Sequence, residues 1–208
     1  ISNGSTVFDA GAMASGFGSS MVFIKKLTAS SSGTLTFHNG ASGVVLDNTY
    51  KEYLFTFKNI HPSAESDLLF QANTVGASGF NETITSSFFR AYHNEADNDT
   101  TLAIVASLDQ AQATGFSTLT DGIGSSSGGV NNDDNASGYL HLFNPSSTTF
   151  VTHYASRIGN TNGGGSATYM CDCYSAGYFN TTSAIDAIQF KFESGNIDSG
   201  TISLYGIG

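Results

Sequence analysis

A chain of 208 residues with 39% hydrophobic residues, 16 Phe and 9 Tyr, has the material for one sizeable core and is not wholesale disordered. Its 17 acidic against 7 basic residues give a formal net charge of −10, which excludes a protein built to neutralise nucleic-acid phosphates and opposes docking on an anionic membrane. No apolar run approaches the ~18 to 20 residues of a membrane-spanning helix.

Residues 1–20 (ISNGSTVFDAGAMASGFGSS) are rich in Gly, Ser and Ala and hold only isolated large apolar residues. They contain neither the basic start nor the apolar segment of a signal peptide. So few apolar groups cannot offset an ordering entropy of about 1 to 2 kcal/mol per residue. An N-terminal arm is expected over residues 1–20. It should be mobile alone and dock on a neighbouring subunit through Val7, Phe8 and Phe17. The folded domain is then residues 21–208.

Strand signals follow in order. Residues 21–28 open the series. Leu35 and Phe37 alternate with polar neighbours. So do Tyr53, Phe55 and Phe57. Residues 68–71 and 84–93 are further strands, and residues 102–108 suit a strand or a short helix. Residues 109–114 have room for one helical turn at most. Residues 116–138 are the least ordered-looking internal part, with SSSGG at 125–129 and NNDDN at 131–135. Strands resume at 139–143, 150–157 and 167–174. The last segment, residues 184–208, reads as a β-hairpin: Ile188, Phe190 and Phe192 face one way, the turn lies within SGNIDSG, and Ile202 and Leu204 return. About ten short strands punctuated by Gly and Asn predict an all-β fold, an antiparallel β-sandwich of jelly-roll-like type with an extended N-terminal arm.

Two strands carry large groups on both phases. Tyr139, His141 and Phe143 alternate with Leu140 and Leu142, and Phe88 and Tyr92 alternate with Phe89 and His93. A sandwich strand buries one face in its own core. Phe88, Tyr92, Tyr139, His141 and Phe143 are therefore the expected oligomer interface.

Catalytic and metal signals are weak. The histidines at 38, 61, 93, 141 and 153 form no HxH or HxxxH pair, and each is read as structural. His61 is expected to order a turn, and His141 and His153 to be neighbours in a sheet. No strand-to-helix elbow supports a nucleophilic serine. Asp67, Asp97, Asp109, Asp121 and Asp186 are scattered, with no pair brought together as glycoside hydrolysis needs. The runs at 97–99 and 133–134 offer oxygen ligands that suit calcium, but solvated turns are the preferred reading. Cys171 and Cys173 would share a strand face roughly 6 to 7 Å apart, too far for an undistorted disulfide. The expectation is a non-enzymatic protein with no cofactor and no metal.

The blocks 50–62 (YKEYLFTFKNIHP), 88–94 (FFRAYHN), 141–150 (HLFNPSSTTF) and 177–188 (GYFNTTSAIDAI), with the SGTISLYGIG ending, resemble in one order a family of virion structural proteins of tailed phages, especially marine phages. The resemblance covers most of residues 21–208. It implies a structural or fibre-like protein on the particle surface, with no catalytic residues to carry over. The expected role is a capsid decoration or head-fibre subunit acting as a homo-oligomer, with the trimer number coming from the resemblance. Its partners would be other copies of itself and other virion proteins such as the major capsid or tail proteins. Neither nucleic acid nor membrane is expected as a partner. The alternative is a tail-fibre or receptor-binding adhesin that takes a host surface glycan, for which nine tyrosines and abundant Asn speak and the lack of Trp counts against.

Overall fold

The structure, a computed structural model, describes residues 21–124, 129–163 and 168–208. The expected arm and its anchors Val7, Phe8 and Phe17 lie outside the described residues. In chain order the strands are β1 (Met21–Thr28), β2 (Leu35–His38), β3 (Glu52–Pro62), β4 (Leu68–Thr74), β5 (Ile84–Asn94) and β6 (Thr100–Ile104). One 3-10 turn follows at Ala106–Leu108. Then come β7 (Ala111–Ala113), β8 (Ser117–Thr118), β9 (Ala136–Phe143), β10 (Thr152–Asn162), β11 (Tyr169–Phe179), β12 (Ile185–Phe192) and β13 (Ile197–Ile207).

These strands form the expected all-β sandwich from two antiparallel sheets of unequal size. The large sheet has nine strands, in the order β1-β13-β3-β9-β10-β11-β5-β6, with β7 also pairing β5. The small sheet has four, in the order β2-β12-β4-β8. Period-2 alternation builds the contact between them. On β3, Tyr53, Phe55 and Phe57 are buried while Leu54 and Thr56 are only half covered. On β12, Ile188, Phe190 and Phe192 face inward from the other layer. Phe190 lies at the centre, its ring 5.4 Å from Phe55, 5.2 Å from Phe57 and 6.3 Å from both Phe37 and Phe70. Burying each such ring contributes roughly 1.5 to 3 kcal/mol.

The C-terminal segment departs from expectation. Its two strands are not a hairpin. β12 pairs with β2 and β4, while β13 pairs with β1 and β3. The turn between them carries the chain from one layer to the other. Phe190 therefore faces Ile202 and Leu204 across the core rather than lying beside them in one sheet. Alternation fixed the inward phase of both strands correctly; it carries no information on the hydrogen-bonding partner.

Residues 102–108 divide into the end of β6 and the 3-10 turn, and residues 111–113 form β7 rather than a helical turn. The stretch after Phe116 is more ordered than its composition suggests, because Ser117, Thr118, Leu119, Thr120 and Ile123 are all buried. That stretch pairs along the edge of β4, with Ser117 opposite Phe70 and Thr118 opposite Leu69, and β4 is buried on both faces. Gln71 of β4 meets the polar need this creates. Its amide nitrogen donates to the carbonyls of Glu82 and Gly115 at 2.9 Å, and its Oε1 accepts the Ala72 amide at 2.8 Å. His61 sits at the end of β3, not in a turn, with Nδ1 2.6 Å from the Asp134 carbonyl. No helix among the described residues is long and apolar enough to cross a membrane.

Candidate functional site

Strand register separates the two faces of the large sheet. Leu140, Ser156, Ser175 and Phe88 stand in one cross-strand row, and all four are buried. One residue along each strand, Tyr139, Arg157, Tyr174, Phe89 and Ile104 form a row on the opposite face. The small sheet covers only the first face. The second has no layer over it among the described residues, yet it carries large side chains. Tyr139 is 41% exposed, Phe143 39%, and Leu102 and Ile104 75% each.

Stacking and hydrogen bonds link the exposed row. Phe89 and Tyr174 stack at 4.6 Å with their planes 5° apart. The Arg157 guanidinium lies 5.1 Å over the Tyr174 ring and donates to both Asp172 oxygens, at 3.0 and 2.8 Å. The Tyr174 hydroxyl donates to Asp172 at 3.1 Å. The Arg157 hydrogen bond holds the Asp172 carboxyl below its ordinary value. Beside this couple is a cleft of about 330 Å³, with Gly159 in the floor and Tyr139, Met170 and Ser137 around it. An aromatic face next to a fixed guanidinium–carboxylate pair offers both an apolar platform and matched hydrogen-bonding groups.

Further along the same face, His141 pairs with Glu52 and stacks on Phe143. His153 lies opposite Phe143 and His141 opposite Ala155, so the two histidines stand on adjacent strands but not across from each other, and the His153 ring meets Tyr178 instead. At the β1 end a second cleft, of about 520 Å³, is lined by Lys26, Lys58, Ser199, Thr201 and Ser203. A pair of facing irregularities shapes it. Asn59 has φ +52° and Gly200 φ +114°, where the β3–β13 register shifts. A Cβ on Gly200 would come 2.4 Å from the Asn59 carbonyl oxygen, so only glycine fits.

The expected interface residues do not share one face. Tyr139, His141 and Phe143 are on the uncovered face. Phe88 is not available to a partner: it is fully buried with Cys171 and Cys173, under Val105 and Leu108. Tyr92 has the same inward phase and meets Tyr169 edge-on at 5.4 Å. Both were placed on the wrong face because β5 extends past the small sheet. There the 3-10 turn acts as the cover, which no strand pattern announces. Sequence reasoning also missed Phe89, Arg157, Asp172 and the lysine cleft. The first three need the register to be seen together. The lysines had a visible signal, since Lys25, Lys26, Lys51 and Lys58 are four of the chain's seven cations.

The remaining candidates are buried or paired within the chain. Cys171 and Cys173 are free and buried, and burial pushes both thiols up. Asp67 accepts the Gly122 amide and is raised chiefly by burial. Arg90 pairs with Asp121. In the loop of the 97–99 run, Asn94 Oδ1 accepts the amides of residues 98 and 99, both at 3.1 Å, and Asp97 meets His93 Nε2 at 3.0 Å. Asp134 accepts the Asn131 amide at 2.7 Å. No group of three or more His, Cys, Asp or Glu placed to hold a metal occurs among the described residues. Compared with known proteins, the chain matches no protein-family model, no curated protein and no solved structure.

Proposed function

We propose that this chain is a non-enzymatic structural protein of a phage particle, a capsid decoration or head-fibre subunit that works as a homo-oligomer on the particle surface beside the major capsid or tail proteins. The uncovered face of the large sheet carries this reading. Tyr139, Phe143, Phe89, Leu102 and Ile104 leave a broad apolar surface in water, of the kind that marks association sites. Symmetric self-association is the common way to cover such a surface. The sequence blocks that resemble tailed-phage virion proteins supply the setting. Antibody-linked gold on purified particles of the phage that encodes the chain tests it, with label expected on the head. Particles that carry none of the chain would refute the reading.

A second reading has one observation in its favour. The cleft beside Tyr139, with the Arg157–Asp172 couple in its wall, has the groups that recognise a sugar ring, an aromatic face plus paired polar atoms. In that reading the chain is a tail-fibre or receptor-binding module that takes a host surface glycan, and the gold label falls at the tail.

A further inference from the structure

We propose that copies of this chain join head to tail, the β1 edge of one copy pairing antiparallel with the β6 edge of the next, and that the lysine cleft beside β1 receives the acidic β5–β6 tip. The inference rests on the self-association proposed above and names the surfaces that make it.

Direction comes from topology. The large sheet's path of eight strands has seven junctions, all antiparallel. Its two end strands, β1 and β6, therefore run in opposite directions. A second copy added at the β6 edge presents its β1 antiparallel to β6, with the uncovered faces of both copies on one side. The sheet continues without reversing a strand. Neither edge has a further strand beyond it among the described residues, and open edges are templates for pairing.

Charge supplies specificity. In a chain of net charge −10, exposed Lys26 and Lys58 stand together at the β1 end. The tip joining β5 to β6 carries Glu95, Asp97 and Asp99, all exposed. The order of groups matches as well. Along β1 the chain passes exposed Phe23 and then Lys26. Read against its direction, β6 passes exposed Ile104 and Leu102 and then Asp99. Antiparallel alignment thus sets Phe23 against Leu102 and Ile104, and Lys26 against Asp99. Antiparallel pairing of two β1 edges would set Lys26 of each copy toward the Phe23 end of the other, and antiparallel pairing of two β6 edges would set each acidic tip beside the other copy's Ile104. Neither like pairing joins opposite charges, whereas the unlike one does, and that difference favours it. A contact between unlike surfaces closes into a ring when its rotation allows.

Charge exchange tests this by sedimentation velocity. Lys26→Glu with Lys58→Glu makes the cleft acidic, and Glu95→Lys with Asp99→Lys makes the tip basic; all four positions are exposed, and circular dichroism checks the fold. Each variant alone is expected to weaken association by about tenfold or more in dilute salt. Mixed one to one, the two variants should associate with each other, and a chain carrying all four changes should associate with itself. Unfolded chains would give neither rescue. If the wild-type chain associates and both variants match it, this contact is wrong while self-association stands. A wild-type chain that stays monomeric at every concentration overturns both. If the cleft variant assembles normally but alone loses retention on immobilised heparin, the cleft serves a polyanion and the inference fails.

Discussion

The two faces of the large sheet are built from the same strands and differ in what covers them. On the inner face, alternate residues meet a second layer, and aromatic rings interlock at 4.7 to 6.3 Å around Phe70 and Phe190. On the outer face, rings of similar size stack on one another within the sheet and remain open to water. Apolar content alone does not distinguish a core from an interaction surface; the second layer does. A side chain on the inner face acts on the stability of one chain. A side chain on the outer face acts on what that chain meets.

Substitutions on the two faces should therefore separate in chemical denaturation. The largest loss is expected for Phe190→Ala, about 3 to 5 kcal/mol, because four other rings close around that position. A loss below about 1 kcal/mol would mean that the layers are not packed through it. Tyr154→Phe comes next. The Tyr154 hydroxyl and Ser117 Oγ are buried 2.8 Å apart, and deleting one partner is expected to cost about 1 to 2 kcal/mol. Phe143→Ser, on the outer face, should change the stability of the single chain by under about 1 kcal/mol and reduce self-association in light scattering. If it destabilises the chain as much as Phe190→Ala, the outer face is a core and the contrast collapses.

The smallest effect concerns a carboxyl near the rim of the small sheet. Burial raises Asp67 above its ordinary value of 3.8 despite the Gly122 amide, with Glu193 and Glu65 adding to the rise. For a group raised in the folded state, the stability it contributes is fully present below the unfolded value and is lost as pH rises through the folded value. Asp67→Asn keeps an oxygen for the Gly122 amide and removes the titration. Urea midpoints across acid to neutral pH should show the variant gaining on the wild type as pH rises. Parallel curves would show that folding does not raise the Asp67 carboxyl.

Facing was legible in the sequence and partnership was not. Period-2 alternation placed Tyr53, Phe55, Phe57, Phe190, Ile202 and Leu204 inward, and all are buried. It could not place β12 and β13 in different sheets, because a chain reversal within a sheet and a crossing between layers use the same turn residues. At Phe88 the strand is apolar on both phases, so its inward side depended on a 3-10 turn nearly twenty residues later in the chain. The outer face was half visible. Tyr139, His141 and Phe143 announce themselves on one strand, whereas Arg157, Asp172, Tyr174 and Phe89 become a unit only once β10, β11 and β5 are in register.

The position of β13 has a consequence for how the chain folds. Among the described strands it is the last in sequence, and it lies between β1, the first, and β3. Until it arrives, β1 has no neighbour in the sheet and β3 has one open side. During synthesis the earliest strand thus waits for the latest, and closure spans nearly the whole domain. Such long-range closure is slow, because the entropy of the loop must be lost before any contact rewards it. Refolding should accordingly finish with the docking of β13, and a fluorescent reporter at Tyr205 would follow that step later than one on β10 and β11, whose pairing closes within a short stretch of chain.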